Sequence, residues 1–422
     1  MKIIIINTHS VLNSGDAGIV LAQIQFLKKS FRNLEITLTS RTPLVDKVFY
    51  NERGIKVFPP LIPTTGIYSQ KAEKFFGVLK DIINLKPKIK LIKEFKICDV
   101  VISSGGGYFY SNKRIFPSLT FFQNYFHIKM ASIFKKPVIL FPQSFGPFHN
   151  KLSQWLMKRL LEMRNLIKIF VRDEISLQLL KRMKEQQSNK YEMCPDMAFY
   201  YCQENNVHNF SSFSKLPKPL IVFTLRQWSF PEAQSIKKRK MLKENYLQTL
   251  KKTGEKIYHA LGGSVLILPQ ARGPEDFEND RIISRQLFEG LKKVIPRDNL
   301  LYVDLPDTAP PSEIIHVISQ ASLVVATRFH SAIFALISEI PVISIAYQHK
   351  STGIMRMLGL DHFSLNILNL ESSDILELIE DILNQDYLLR NQIEKKIIQI
   401  KKTIDPKLIN AMNLIRSFDK RK

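Results

Sequence analysis

The sequence predicts an α/β protein made of two Rossmann-like, doubly wound domains that face a cleft. Short buried apolar runs alternate with amphipathic stretches, which is typical of βαβ units and parallel sheets. The alternation forms two series, and residues 206–219, rich in Ser, Asn and Pro, lie between them as the best linker candidate. A length of 422 residues is enough for two or three domains.

The first series begins at residues 2–7, where an apolar run predicts a buried strand. A loop follows, and Asp16 is placed to cap the next helix because its carboxylate can accept from the unpaired amides there. The further strands of this series are predicted at residues 34–39, 99–103, 137–141 and 167–171. Helices are predicted at residues 71–96 and 154–164. Together these elements predict an N-terminal domain at residues 1–208.

The second series predicts a C-terminal domain at residues 217–385. Its strands are predicted at residues 220–224, 264–268, 301–303, 323–326 and 341–345. Its helices are predicted at residues 246–261, 280–295, 312–321 and 374–403. We expect a C-terminal helix within residues 386–422 to pack back toward the N-terminal domain. Because ligands of open α/β sheets bind at the carboxyl ends of the strands, functional residues are expected there.

The charge of the chain is strongly positive. Lys and Arg total 61 against 38 Asp and Glu, which gives a net charge of +23. This excess suggests an anionic partner, which could be nucleic acid, an anionic membrane surface or a phosphorylated substrate, but a lysine-rich solvated surface explains it equally well. No zinc-finger spacing, RNA-binding aromatic motif or leucine-zipper heptad accompanies the basic residues, so we expect no nucleic-acid partner.

Location and cofactors follow from what the sequence lacks. No run approaches the ~18 apolar residues of a membrane span, and the N-terminal apolar run is too short for a signal peptide. The three cysteines form no CxxC pair. The sequence therefore predicts a cytoplasmic protein, and the absence of a clustered His/Asp ligand set predicts no metal site.

Arg328 and His330 are the leading candidates for chemistry. They follow a predicted strand and precede a predicted helix, whose N-terminus favours anions through its free amides. Arginine can bind phosphate or carboxylate in a bidentate way, and histidine can exchange a proton near neutral pH. The alternative is a turn that only caps the helix.

Other candidates also follow predicted strands. Arg172, Arg226 and Lys350 could each pair with a nearby carboxylate, yet several cations converging on one cleft would be costly without an anionic ligand. Gly105-Gly106-Gly107 could bring backbone amides close to an anion or a sugar, or could form a plain tight turn.

The ordered segments resemble the polysaccharide pyruvyltransferase family over about residues 3–360. The matching segments are Asn13-Ser14-Gly15-Asp16, residues 99–107, residues 142–147, residues 171–176, residues 195–198, Arg328-Phe329-His330 and residues 341–359 with Lys350. The resemblance implies a fold similar to GT-B glycosyltransferases. It also implies an enzyme that uses phosphoenolpyruvate to form a pyruvate ketal on a sugar of a surface or cell-wall glycan, or of its lipid-linked precursor.

The resemblance implies roles for individual residues. Arg172, Arg328 and Lys350 correspond to the phosphoenolpyruvate site, to which we add Arg226, and His330 is the expected proton donor assisted by Arg328. The residues expected on the acceptor side are Asn13, Gly15, Asp16, Gly105, Gly106, Gly107 and Gln143. No cofactor is implied.

The acceptor loop departs from relatives that act on cell-wall anchoring glycans, because residues 8–12 contain no Phe, Tyr or Trp. We therefore expect polar or aliphatic contacts to the acceptor rather than ring stacking.

Two other functions remain open at this stage. One is a GT-B glycosyltransferase or sugar epimerase that uses a nucleotide sugar, since the architecture and anion sites would be shared. The other is a non-catalytic basic binding protein. If the acceptor is lipid-linked, the basic helices, such as residues 71–96, predict weak and salt-reversible contact with the anionic inner face of the membrane.

Overall fold

Two parallel β-sheets organise the chain. The computed structural model describes residues 1–62, 90–111, 116–202, 213–347 and 349–419. These residues divide into two units. The first unit comprises Met1–Val11, Asp16–Tyr201 and Lys401–Lys422, and the second comprises Leu12–Gly15 and Cys202–Ile400. The predicted α/β class with two parallel, Rossmann-like sheets is confirmed.

The first unit contains the sheet of the N-terminal series. Its strands are β1 Lys2–Ile6, β2 Glu35–Thr39, β3 Lys56–Phe58, β4 Val100–Ser103, β5 Gly106–Ser111, β6 Val138–Phe148, β7 Leu166–Val171 and β8 Tyr191–Met193. The described helices are α1 Ser14–Ser30, α2 Pro43–Asn51, α3 Lys90–Ile97, α4 Leu119–Ile133, α5 Lys151–Leu161 and α6 Glu174–Met183. The strand order is β3-β2-β1-β4-β6-β7-β8, with β5 paired to β6. Strands β1 to β3 extend the sheet to one side and the strands from β4 onward extend it to the other, so the switch point lies between β1 and β4.

The second unit repeats this plan. Its strands are β9 Leu220–Thr224, β10 Ser264–Ile267, β11 Leu300–Tyr302, β12 Leu323–Ala326, β13 Val342–Ala346 and β14 Ser364–Asn366. Its helices are α7 Ile236–Leu261, α8 Asp280–Leu291, α9 Pro311–Ser319, α10 Phe329–Ile337, α11 His349–Leu358 and α12 Ser372–Asn384. The strand order β11-β10-β9-β12-β13-β14 is the Rossmann order 3-2-1-4-5-6, with the switch point between β9 and β12.

The central strands explain why apolar runs predicted the fold. Every residue of β4 and of β9 is buried, and the residues of β1 after Lys2 are buried as well. Strands buried on both faces need apolar side chains at every position, so they give continuous apolar runs rather than alternating ones.

Three local predictions differ from the structure. Helix α1 begins at Ser14, so Asp16 lies within its first turn and not at the N-cap. The glycines at positions 106 and 107 are not only a turn, because they open strand β5, in which Gly106 pairs with Gln143. The helix predicted at residues 374–403 is two helices, α12 and a final helix α13 at Asp386–Asp419.

Helix α13 is divided between the two units. Its residues up to Ile400 are grouped with the second unit, and those from Lys401 onward with the first. In the first unit, the Asp405 carboxylate accepts a hydrogen bond from Lys29 Nζ at 2.9 Å.

Some predicted features lie outside the described residues. Most of the helix predicted at residues 71–96 and part of the linker at residues 206–219 fall there. None of the helices in the described ranges is both long enough and apolar enough to cross a membrane.

A buried histidine connects the strands of the first unit. The imidazole of His127 in α4 is fully buried, with Nδ1 at 2.8 Å from Asn7 Oδ1 and Nε2 accepting from the Leu61 amide at 3.0 Å. Asn7 follows β1 with a φ of 60°, and its amide also donates to Ser103 Oγ at 3.0 Å. Burial lowers the pKa of His127 from 6.5 to about 3, so the ring is neutral in the folded protein.

This histidine makes the first unit less stable in mild acid. Below pH 6.5 the unfolded chain binds a proton at His127 that the folded chain does not, so stability falls as the pH drops toward 3. From pH 7 to pH 5 this group alone costs roughly 2 kcal/mol. We expect His127→Gln to flatten the decline in melting temperature over this range, while His259→Gln, at an exposed position, keeps the wild-type decline. An identical decline in all three proteins would contradict the role of His127.

Candidate functional site

Two arginines of the second unit follow neighbouring strands at the switch point. Strand β9 leads to Arg226 and strand β12 leads to Arg328, and the two strands are hydrogen-bonded partners. Because parallel strands end at the same edge of a sheet, both guanidinium groups belong to the edge where α/β proteins bind ligands. The sequence predicted both residues at such strand ends.

Arg328 is held by a buried carboxylate. Its Nε and Nη2 donate to the two oxygens of Asp280 at 2.7 and 2.6 Å, and Nη2 also donates to the Glu278 carbonyl at 3.1 Å. Asp280 is fully buried at the start of α8 and also accepts from the backbone amides of Ala271 and Gln227 at 3.0 and 3.1 Å. The bidentate pair fixes the orientation of the guanidinium group. Arg328 occupies the N-cap position of α10, but its side chain does not cap the helix.

Arg226 packs against two aromatic rings that also contact each other. Its Cζ is 4.1 Å from the ring centroid of Tyr347 and 4.9 Å from that of Trp228, and Nη1 donates to the Tyr347 hydroxyl. Among the described residues, Arg226 Nε and Trp228 Nε1 are buried donors without an acceptor. Burial lowers the pKa of Arg226, and the positive charge of Arg328 lowers it further. Asp280 is paired with Arg328, so Arg226 is the buried guanidinium that an anionic ligand would stabilise most.

His330 packs directly on Gly15. A Cβ added to Gly15 would lie 2.2 Å from His330 Nδ1, so the ring occupies the space that any larger residue at position 15 would need. The segment Leu12–Gly15 is part of the second unit, where Asn13 forms a β-bridge with Ala271 and Ser14 Oγ accepts from Arg272 Nη2 at 3.1 Å. The structure thus brings the predicted residues Asn13 and Gly15 together with the Arg-x-His segment.

Gln270 contacts Ser331, the residue after His330, in the same unit. Its Oε1 accepts from Ser331 Oγ, and its backbone carbonyl accepts from the Ser14 amide at 3.4 Å. The side chain is buried, and Nε2 has no acceptor among the described residues. A buried amide donor without a partner is costly, which marks Gln270 as a candidate ligand contact that the sequence did not reveal.

Asp16 belongs to a polar cluster of the first unit. Its carboxylate accepts from the Tyr108 hydroxyl, and Oδ2 is 3.7 Å from His9 Nδ1. The His9 ring stacks on Tyr108 with centroids 6.3 Å apart, and His9 Nε2 contacts Arg41 Nη1. Burial, followed by the Asp16 charge, raises the pKa of Tyr108 well above its ordinary value, so Tyr108 keeps its proton.

The glycines of the first unit allow close approach of the backbone. Gly106 has a φ of +131°, and an added Cβ would lie 2.4 Å from the Tyr108 ring. At Gly105 an added Cβ would lie 2.6 Å from the Pro142 carbonyl oxygen. Gln143, opposite Gly106 in β6, is fully buried and its amide atoms have no hydrogen-bond partner among the described residues. Positions 105 and 106 therefore require glycine for packing alone, because any larger side chain would clash with the Pro142 carbonyl or the Tyr108 ring.

Arg172 is also in the first unit, and it forms a buried ion pair. Its Nη1 bonds Asp196, and Nε donates to Ser144 Oγ at 2.8 Å. Nη2 is 3.5 Å from the position of a Cβ added to Gly107. The carboxylate that bonds Arg172 Nη1 belongs to Asp196, which is 24 residues away in the sequence.

The remaining predicted cation is Lys350. It lies in the first turn of α11, directly after β13, but its side chain falls outside the described residues. No group of three or more His, Cys, Asp or Glu side chains that could hold a metal ion occurs in the described ranges.

Several solved structures share this fold. A UDP-GlcNAc 2-epimerase from Methanocaldococcus jannaschii superposes with a TM-score of 0.57 at 13% identity, covering 90% of this chain and 92% of that chain. A UDP-glucosyltransferase from Polygonum tinctorium superposes with a TM-score of 0.58 at 11% identity, covering 98% of both chains. At such identities the likeness shows the fold alone, which is that of two-domain α/β enzymes of the GT-B type.

The family is shown by the sequence comparison. The model described as "Polysaccharide pyruvyl transferase" matches residues 13–349. A curated relative, the amylovoran biosynthesis protein AmsJ of Erwinia amylovora, is 23% identical over 425 residues, covering 94% of this chain and 96% of that protein. The chain belongs to the polysaccharide pyruvyl transferase family, as the resemblance predicted, and membership makes it a transferase that acts on polysaccharide.

Proposed function

We propose that the protein transfers the pyruvyl group of phosphoenolpyruvate to a sugar of a surface glycan, or of its lipid-linked precursor, and forms a pyruvate ketal. The observation that carries this proposal is the arrangement of Arg226, Arg328 and His330 at the switch point of the second sheet. Two cations and a proton donor at the carboxyl ends of neighbouring strands suit a small, highly charged enol phosphate.

The reaction needs an acid and a site for a dianionic phosphate. A proton added to the methylene carbon of phosphoenolpyruvate leaves an oxocarbenium-like centre at C2. One sugar hydroxyl attacks C2 and its proton restores the acid that protonated the methylene carbon. The C2–O bond to phosphate then breaks, and a second sugar hydroxyl attacks C2 and closes the ketal ring, giving its proton to the departed phosphate. The net products are the ketal and inorganic phosphate.

We assign the donor side to the second unit. His330 supplies the proton to the methylene carbon, and Arg328, fixed by Asp280, stabilises the departing phosphate. Arg226, positioned by Tyr347 and Trp228, binds the carboxylate or phosphate. Lys350, in the first turn of α11, is assigned to the same ligand by family resemblance.

We assign the acceptor side to the polar groups of the first unit. Asp16 is a carboxylate oriented by Tyr108, which suits hydrogen bonds to sugar hydroxyls. The buried amide of Gln143 and the backbone at Gly105-Gly106-Gly107 add donors and acceptors. The name of AmsJ, a protein of amylovoran biosynthesis, supports an exopolysaccharide or similar surface glycan as the acceptor.

The decisive experiment supplies phosphoenolpyruvate with a panel of synthetic and lipid-linked glycans. We expect phosphate release that depends on the glycan, together with the added mass of a pyruvyl ketal on the sugar. The variant Arg226→Gln tests the donor site. It keeps polar contacts but removes the positive charge, and it should weaken phosphoenolpyruvate binding. Turnover of a nucleotide sugar with no release of phosphate from phosphoenolpyruvate would contradict the proposal.

A thermal-shift assay separates the donor classes. A ligand that binds only the folded protein raises its melting temperature, by an amount that grows with ligand concentration over Kd. We expect stabilisation by phosphoenolpyruvate and none by UDP-GlcNAc, with the shift lost in Arg226→Gln. The reverse pattern would favour a nucleotide-sugar enzyme, which the shared fold alone does not establish.

The proposed acceptor implies a subcellular location for the protein. Lipid-linked glycan precursors are built at the cytoplasmic face of the membrane, so we propose a cytoplasmic enzyme in peripheral contact with anionic lipid, a partner that suits the net charge of +23.

Gly15 tests whether the position of His330 matters. We expect Gly15→Ala to push the His330 ring away, because the new Cβ would lie 2.2 Å from Nδ1. A displaced acid should lower kcat by about 10²-fold. Gly290→Ala, whose added Cβ would meet only the Lys251 side chain at 3.4 Å, is the control and should keep wild-type kcat. Normal kcat in Gly15→Ala would argue that the ring position is not critical.

A further inference from the structure

A guanidinium and two aromatic rings of the second unit form one contact cluster, defined as Arg226, Trp228 and Tyr347. The Arg226 Cζ is 4.1 Å from the Tyr347 ring centroid and 4.9 Å from the Trp228 ring centroid, and the two centroids are 4.6 Å apart. Arg226 Nη1 donates to the Tyr347 hydroxyl. Arg226 Nε and Trp228 Nε1 are buried and have no acceptor in the part of the chain that the structure describes. The cluster therefore holds two unused hydrogen-bond donors.

Asp280 connects this cluster to the other arginine of the candidate site. Its Oδ1 accepts from the backbone amide of Gln227, the residue after Arg226, at 3.1 Å. The same carboxylate binds Nε and Nη2 of Arg328. Burial lowers the pKa of Arg226, and the charge of Arg328 lowers it as well. Asp280 and Glu278 oppose this effect through space, but Asp280 is already paired with Arg328.

We infer that the cluster binds the carboxylate of the donor substrate, with Arg226 Nε and Trp228 Nε1 as the donors, and that Trp228 thereby selects a phosphorylated 2-hydroxy or enol acid over a plain phosphate ester. The inference rests on the proposed function, which makes phosphoenolpyruvate the donor. The two oxygens of a carboxylate can accept from both N–H groups. Arg226 and Trp228 each keep part of their surface exposed, so a small anion can approach them.

Charge and surroundings favour the carboxylate over the phosphate at this cluster. A carboxylate carries one negative charge, which the guanidinium of Arg226 balances, whereas a phosphate dianion needs more than one cation. The aromatic rings exclude water, and the dianion would lose more hydration than the carboxylate beside them. Arg328 is at the N-cap position of α10, and a helix N-terminus suits phosphate. The two anionic groups of the donor thus have separate partners.

Two unreactive analogues isolate the carboxylate. Phospholactate has the carboxylate and the phosphate of the donor, and isopropyl phosphate has a methyl group in place of that carboxylate. Neither has the enol that the transfer requires. We expect calorimetry to show that the wild-type protein binds phospholactate more than about 10²-fold tighter, because an analogue that leaves buried donors without an acceptor is rejected.

Three single variants test the two donors. Trp228→Phe keeps an aromatic ring but removes the N–H. It should lower the preference for phospholactate roughly tenfold, which is the lower end for a hydrogen bond to a charged group, and leave the affinity for isopropyl phosphate unchanged. Arg226→Gln should lower the preference further, because it also removes the charge. Trp155→Phe, the same change at the other tryptophan of the chain, is the matched control and should keep the wild-type preference.

The emission of Trp228 gives a local readout of binding. The chain contains two tryptophans, so Trp228 is the sole one in Trp155→Phe. Phospholactate should change its emission with the Kd that calorimetry gives. Isopropyl phosphate should leave the emission nearly unchanged when it binds, because its methyl group offers no acceptor to the indole N–H.

Two results would overturn the inference and leave the proposed reaction intact. One is a wild-type preference for phospholactate in a folded Trp228→Phe protein. The other is an equal loss of affinity for both analogues in Trp228→Phe and Arg226→Gln, which would assign the cluster to the phosphate. Phosphate release from phosphoenolpyruvate by the wild-type protein distinguishes these results from failure of the reaction. A protein that binds neither analogue and releases no phosphate would refute the proposed donor and the carboxylate site together.

Discussion

Replacing His330 with Gln lowers kcat by about 10²–10⁴-fold and leaves the melting temperature close to that of the wild-type protein. The expected loss is that of a positioned general acid, since glutamine keeps a polar side chain of similar reach but has no proton to give near neutral pH. Retained stability is expected because the ring is half-buried and glutamine can still pack on Gly15 and Phe329. Phosphoenolpyruvate should still bind, since the cations are unchanged.

The control for this variant is His362→Gln, at an exposed position of the same unit. Steady-state kinetics and thermal unfolding are measured on both variants. A His330→Gln protein that is destabilised yet turns over normally would show that His330 only supports the start of α10, and the catalytic role would be withdrawn.

Replacing Asp280 with Asn destabilises the protein by about 3–5 kcal/mol and raises the KM for phosphoenolpyruvate. The carboxylate accepts from two nitrogens of Arg328 and from two backbone amides, and all of these would lose a charged acceptor inside the unit. The uncompensated Arg328 charge accounts for most of the loss, and a reoriented guanidinium accounts for weaker binding of the donor.

Asp304→Asn is the matched control, because Asp304 also binds arginines, Arg281 at 2.6 Å and Arg285 at 2.8 Å, but nearer the surface. It should cost no more than about 1 kcal/mol and leave KM unchanged. The double variant Asp280→Leu, Arg328→Leu separates stability from binding. Removing both charges should recover part of the stability, because the Ala271 and Gln227 amides still lack their acceptor, and should not recover donor binding. Recovery of both would show that the pair serves the fold alone.

The fold was largely predictable because its central strands are buried on both faces. Residues 2–6, 100–103 and 220–224 are apolar almost throughout, and such runs are visible without knowing what covers them. The short strands β3, β8 and β14 were missed. Each has three residues, is at the edge of its sheet and carries polar positions, so no continuous run marks it.

The candidate site was predictable only in part. Arg226 and Arg328 could be found because each follows a strand, and strand ends are visible in the sequence. Their partners could not, because Asp280 is 48 residues from Arg328 and Tyr347 is 121 residues from Arg226. Such pairings depend on which helices and loops lie at the carboxyl ends of the strands, and no local sequence pattern predicts that arrangement.

The contact between Gly15 and His330 was also unpredictable, because it joins residues that are far apart in the sequence. The family resemblance places Gly15 on the acceptor side, but nothing in the sequence shows that it contacts His330. Only the fold reveals that an imidazole from a residue more than three hundred positions later fills the space beside its Cα.

The division of the chain between the units has a consequence for synthesis on the ribosome. The first unit includes residues from Lys401 onward, where Asp405 binds Lys29 and Lys407 binds the Met193 carbonyl. Those residues are translated after the whole of Cys202–Ile400. The second unit can therefore be complete, with Leu12–Gly15 already made, while the first still lacks its closing helical segment. The part of the protein that is translated first is the last to acquire all of its contacts.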